Sequence, residues 1–193
     1  MRSRFLIELT TPEVEKYFSD GGKTAVLPVG SVEMHGPHQP ICTDTFIAKA
    51  FSLQLARSTN GIVLPEVSFT WAGSTDGFAG TISVDIELQQ KIVEAVIIKA
   101  AKMELKRFVV VSVHAPNKSI LFLSTRRIFE NTHIPVLFVD PYRPFSESNG
   151  KIFEGDYEDS KEASLVLGAL QILGMPNLYS ESEMSYEEHA PSF

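Results

Sequence analysis

A chain of 193 residues that is 44% hydrophobic and 21% charged can bury a core as one domain without disulfides or a structural metal. A net charge of −7, with 17 Lys and Arg scattered along the chain, disfavours nucleic acid or an anionic membrane as partner. One cysteine, Cys42, excludes an intrachain disulfide, and the N-terminal apolar run is too short for a signal peptide or a span, so the chain reads as cytoplasmic.

In chain order, TAVLPVG (24–30) is a short apolar run closed by glycine and predicts a buried strand. GSVEMHGPHQP follows, and Gly30, Gly36, Pro37 and Pro40 predict a stiff, irregular loop. Near-helical spacing of apolar residues predicts a helix over 44–58, and GIVLPEV (61–67) predicts the second strand. A glycine-rich loop over 67–83 carries Trp71, which either lines a pocket or makes a subunit contact. Next comes a helix over 84–105 with Ile92, Val96, Ala100 and Met103 on one face. RFVVVSVH (107–114) predicts a strand, 119–130 a helix, IPVLFVD (134–140) a strand and 160–173 a helix. The loop over 141–159 is long and rich in Pro, Ser, Gly and acidic residues. Both long loops suit lids, interface arms or mobile segments.

Strands alternating with helices predict an α/β fold with a mainly parallel sheet covered on both faces. Ligands of such sheets bind beyond the carboxyl ends of the strands. Glu33, His35, His38 and Asp44 follow the first strand within twelve residues, and His114 ends the third. Carboxylate and imidazole donors suit zinc, manganese or iron. In extended chain Glu33 and His35, two residues apart, face the same way. Asp44 also suits a helix N-cap, and a lone His at a strand end needs no ligand. Convergence at one sheet edge is what favours the metal reading. Cys42 reads as a packing residue, Asp76 and Asp85 as turn and cap residues, and Glu187, Glu188 and His189 as part of a solvated acidic tail from about residue 178.

VGSVEMHGPHQPICTDTFIA resembles the first signature of the creatininase (creatinine amidohydrolase) family, a Glu-x-His-Gly-Pro-His element before Thr-Asp-Thr. AGSTDGFAGTISVD resembles its glycine-rich segment, FVVVSVHAPN its strand ending in Asn-Gly-His-Gly-Gly-Asn, and EASLVL its late Glu-Thr-Ser motif. The matches run in family order over about 27–167. The resemblance implies a single layered α/β/α domain over 1–193 with a binuclear metal site that hydrolyses C–N bonds of cyclic or linear amides. By position, Asp44 would bridge two divalent ions, zinc first, with manganese or iron as alternatives. Glu33 and His114 would complete one ion's protein shell, and His35 and Glu162 the other's. His38 would support the ligands. It joins Glu162 and Tyr157 in the expected catalytic set. The resemblance also implies a homo-oligomer, commonly a hexamer, acting on a small amide-like substrate.

Two departures stand out. Val113, Ala115 and Pro116 replace residues of the Asn-Gly-His-Gly-Gly-Asn run, and Pro116 stands where creatininase proper has Glu, which argues against creatinine as substrate. Tyr157 stands where the family has the His expected to donate a proton, so Tyr157, Glu158 or Asp159 would have to substitute. The alternatives are a lyase or isomerase acting on a sugar-like substrate, or a non-catalytic binding protein.

Overall fold

The computed structural model describes residues 1–142 and 158–180, with side chains of the last helix from Glu162 onward. Its elements are α1 (Thr11–Ser19), β1 (Thr24–Pro28), α2 (Thr43–Ser58), β2 (Gly61–Val63), α3 (Ile86–Ala100), β3 (Arg107–Val111), α4 (Asn117–Thr132), β4 (Val136–Val139) and α5 (Glu158–Ile172). The four strands are all parallel in the order β2-β1-β3-β4. The expected α/β fold with its mainly parallel sheet is therefore present.

Period-two alternation divides the strands between the two faces. Ala25, Leu27 and Val29 join Phe108 and Val110 against Tyr17 of α1, Val93 and Ile97 of α3, and Leu121 and Ile128 of α4. Val26, Val63 and Val111 face the other way, onto Ala56 of α2. All five residues of β1 are buried, as a central strand of a doubly covered sheet requires. A third cluster joins Ile47 and Ala50 of α2 to Val166, Ala169 and Leu170 of α5.

Several boundaries differ from the sequence reading. The helix expected over 84–105 ends at Ala100, and Met103 is exposed. Its deepest face is Gln89, Val93, Ile97 and Ala100, with Ile92 and Val96 packed at the flank. β2 stops at Val63, because the chain leaves the ladder at Pro65 and returns for one bridge, Val67 to Val29. The sequence reading assigns no element to α1, although Thr10 with Glu13 three residues on is a helix-start signature. The Glu13 carboxylate accepts from the Thr10 N–H at 2.8 Å. Asp85 caps α3, accepting from Leu88 N–H at 2.8 Å, as expected. Asp44 is not a cap: Cys42 holds that position and Asp44 lies in the first turn of α2. At the other end, Tyr179 packs on the α2–α5 cluster.

Chain order reverses direction between β1 and β3. Beyond the carboxyl ends of these two strands lie the 29–42 loop and the 112–116 turn, at the switch point where such sheets form ligand crevices.

Candidate metal centre

Three elements deliver carboxylates to this crevice. Glu33 stands in the loop after β1, its N–H held by Ile41 C=O at 3.0 Å. Asp44 enters from the first turn of α2. Gly30 makes this approach possible: a Cβ there would lie 2.2 Å from Thr45 Oγ1 and 2.4 Å from Thr45 Cα. Glu162 comes from α5, one turn before Val166 in the face that packs on α2. Asp44 and Glu162 therefore both lie near helix N-termini, where the backbone dipoles favour negative charge.

The imidazoles complete two overlapping trios. Glu33, Asp44 and His114 form one, and His35, Asp44 and Glu162 the other, with the donor atoms of each within 4.8 Å of one another. His114 Nδ1 lies 2.6 Å from Glu33 Oε1 and 2.8 Å from Asp44 Oδ2. His35 Nε2 lies 3.7 Å from Asp44 Oδ2. Glu33, Asp44 and His114 are each at most 5% exposed.

Neighbours orient every donor. His114 Nε2–H donates to the Trp71 carbonyl at 3.0 Å, leaving Nδ1 for the centre. His35 Nδ1–H donates to Glu33 C=O at 3.0 Å, leaving Nε2. Ser31 Oγ donates to Asp44 Oδ2 at 2.9 Å, and the Thr75 hydroxyl donates to Glu33 Oε2. The Tyr142 hydroxyl donates to Glu162 Oε1 at 3.2 Å.

The electrostatics are those of a cation site. Burial opposes charge on His114, but Asp44 and then Glu33 outweigh it and hold its pKa up at about 10. Burial likewise opposes charge on His35, and the Asp44 hydrogen bond and charge raise it to about 9. Burial would raise Asp44, yet hydrogen bonds from His114 and His35 hold it well below the usual carboxylate range. Burial and then the charge of Asp44 push Glu162 up. Burial and the charges of Glu162 and Asp44 do the same to the Tyr142 hydroxyl. Three buried or half-buried carboxylates with two imidazoles converging on them are a donor set that fits one or two divalent ions.

All five expected ligands thus come together. The sequence reading missed Tyr142, Thr75, Ser31 and the Trp71 carbonyl. Tyr142 follows β4 by three residues, so the strand-end rule could have found it; the others have no local signal. His38 points elsewhere: its Nδ1 lies 3.3 Å from Ser180 O, and its ring stacks on Tyr179 at 6.4 Å between centroids. Tyr157 lies outside the described residues, as do the side chains of Glu158 and Asp159. Cys42 is half-buried, and burial raises its pKa, consistent with an inert packing thiol.

The family model described as creatininase, creatinine amidohydrolase, matches residues 7–183. Creatinine amidohydrolase of Pseudomonas putida is 27% identical over 125 residues, covering 62% of this chain and 48% of that protein. The mycofactocin precursor peptide peptidase of Mycobacterium tuberculosis (strain ATCC 25618 / H37Rv) is 33% identical over 107 residues, covering 50% of this chain and 42% of that one. Its namesake in Mycolicibacterium smegmatis is 38% identical over 65 residues, covering 31% and 26%. The chain thus spans about half the length of the curated relatives it matches, or less. A crystal structure of creatinine amidohydrolase superposes with a TM-score of 0.78 at 24% identity, over 93% of this chain and 75% of that one. A manganese form of creatininase gives 0.77 at 23% identity, over 93% and 76%. These structures establish the fold. With the family model covering nearly all of the described residues and the motifs in order, the chain belongs to the creatininase family.

Proposed function

We propose that this chain is a metal-dependent amidohydrolase that cleaves an amide-like C–N bond of a small polar substrate, cyclic or linear. The observation that carries the reading is Asp44, whose carboxylate is shared by both donor trios. Glu33, Asp44 and His114 would hold one ion, and His35, Asp44 and Glu162 the other. Zinc is the first choice and manganese or iron the alternatives; related creatininases have been solved in Zn-Zn and Mn forms. Such ions, when bound, would supply Lewis acidity to acidify the attacking water and polarise the scissile carbonyl.

The chain's own residues do the rest. Ser31 and Thr75 hydroxyls hold the Asp44 and Glu33 carboxylates, and the Trp71 carbonyl holds the His114 ring. Tyr142 holds a proton against Glu162 Oε1. Tyr157 is the proposed donor to the leaving nitrogen. His38 serves in support, tying the 29–42 loop to Ser180. The same reading makes the chain a single-domain cytoplasmic homo-oligomer, a hexamer by resemblance, with no nucleic-acid or membrane partner. Among the described residues no helix is long and apolar enough to cross a membrane.

Metal content per chain, measured without chelator beside Asp44→Ala, tests the centre. About two ions in the wild type, lost in the variant, together with hydrolysis of amides or lactams on adding zinc or manganese, is the expected result. Near-zero metal that reconstitution does not restore overturns it. Similarity to peptidases favours a second reading, in which the bond cleaved is a peptide bond. Hydrolysis of linear oligopeptides but not of small amides would select it.

A further inference from the structure

We propose that Gln89 is a positioning residue for His114, acting through the backbone of Trp71; the inference rests on the metal-centre reading above. Gln89 is fully buried in α3, in line with Val93 and Ile97, where an apolar residue is the ordinary occupant. A buried amide needs partners, and this one has two. Its Oε1 accepts from Trp71 N–H at 2.9 Å, and its Nε2 donates to Asn117 Oδ1 at 2.7 Å. Asn117, also fully buried, donates from Nδ2 to Gly30 C=O and to Ser112 Oγ, both at 3.1 Å.

The orientation of both amides is dictated by this chain of bonds. The Gly30 carbonyl can only accept, so Asn117 must turn its NH2 toward it and its oxygen toward Gln89. Gln89 must then turn its NH2 to Asn117, which leaves its oxygen facing Trp71 N–H. The next peptide N–H, of Ala72, donates to Ser83 Oγ at 3.1 Å. Trp71 is thus pinned on both sides, within a loop whose Gly73, Gly77 and Gly80 would otherwise leave it free to turn. Its carbonyl is the acceptor for His114 Nε2–H. That bond sends Nδ1 toward Glu33 Oε1 and Asp44 Oδ2. Outer partners of this kind set ring orientation and ligand affinity. The relay also ties the ends of β1 and β3 to Trp71 N–H through Gly30 and Ser112.

The test is titration of the metal-free chain with zinc chloride, in competition with a chromogenic chelator, for wild type, Gln89→Leu, Ser83→Ala and Ile97→Val. Ile97→Val is the control: it trims a fully buried side chain of the same helix without touching the relay. Expected is a fall of about 10- to 100-fold in affinity for one of the two ions in Gln89→Leu. Ser83→Ala should show a smaller fall of the same kind, and Ile97→Val none. In the zinc-loaded wild type, the His114 ring N–H should appear in NMR as a slowly exchanging proton, and Gln89→Leu should speed its exchange. Wild-type affinities and a protected ring N–H in both relay variants would overturn the inference. So would equal losses in Ile97→Val, which would reduce the effect to stability. If Gln89→Leu does not fold, Ser83→Ala decides between the same outcomes. A wild type that takes up no zinc fails earlier, at the metal-centre reading, and the inference falls with it.

Discussion

Asp44 bears two imidazoles at once, and this fixes how the metal-free centre responds to pH. His114 is raised to about 10 and His35 to about 9, against 6.5 for an ordinary imidazole. The folded chain therefore keeps protons that the unfolded chain releases, so this stabilisation is complete below pH 6.5 and is lost as pH rises through 9 to 10. Asp44 has the opposite sign: held below its ordinary 3.8, it stabilises above that pH and loses its contribution as pH falls. Urea denaturation of chelator-treated protein should show stability declining from pH 6.5 upward; a flat profile to pH 10 would refute the ion-paired trio. Zinc affinity should move the other way, tightening as pH rises, because the ion displaces the imidazole protons. Tyr142→Phe removes the hydroxyl that holds Glu162 and leaves the packing ring in place. Weaker metal binding by roughly 10-fold or more, with little change in thermal stability, is expected in a zinc titration.

At the scale of elements, the centre depends on how closely α2 approaches the end of β1. Gly30→Ala places a methyl against the Thr45 backbone, so either the strand end or the first turn of α2 must move. Loss of about 1–3 kcal/mol in urea denaturation is expected, as for overpacking, with metal content falling alongside because Asp44 rides on that turn. Unchanged stability would show that the two segments can part at no cost. The cap of α3 makes a contrasting case. Asp85→Ala removes the acceptor for Leu88 N–H, and its carboxylate belongs to neither donor trio. It should cost about 1 kcal/mol in stability and leave metal content unchanged.

For the whole molecule, apolar side chains remain on the outer surface of α4 and on the edge strand. Phe122, Leu123 and Leu137 are about 60% exposed. β4 pairs with β3 on one side only, and among the described strands it forms one edge of the sheet. Such surface fits the homo-oligomer proposed above. Light scattering after size exclusion should give a mass well above one chain, and Phe122→Glu with Leu123→Glu should reduce it if α4 is the contact. A monomeric wild type would refute the assembly.

The strands, their mainly parallel arrangement and the stretch carrying Glu33, His35 and Asp44 were legible in the sequence, because each is written in local pattern: apolar runs, helical spacing and a dense cluster of donor residues. His114 was legible because it closes an apolar run, although β3 itself ends at Val111. Element ends were less so: α3 stops at Ala100 although apolar spacing continues to Met103, whose side chain is exposed. Glu162 stands 118 positions after Asp44 in the chain, yet shares its donor trio, and only the packing of α5 on α2 brings them together. From the residues alone its role had no warrant; resemblance to a family supplied it. Gln89 and Asn117 show the same limit. Their amides acquire a direction only when Gly30, Trp71 and Ser112 surround them, because hydrogen bonds between distant segments leave no period in a sequence. Local pattern determined which donors are present, and tertiary packing decided which of them meet.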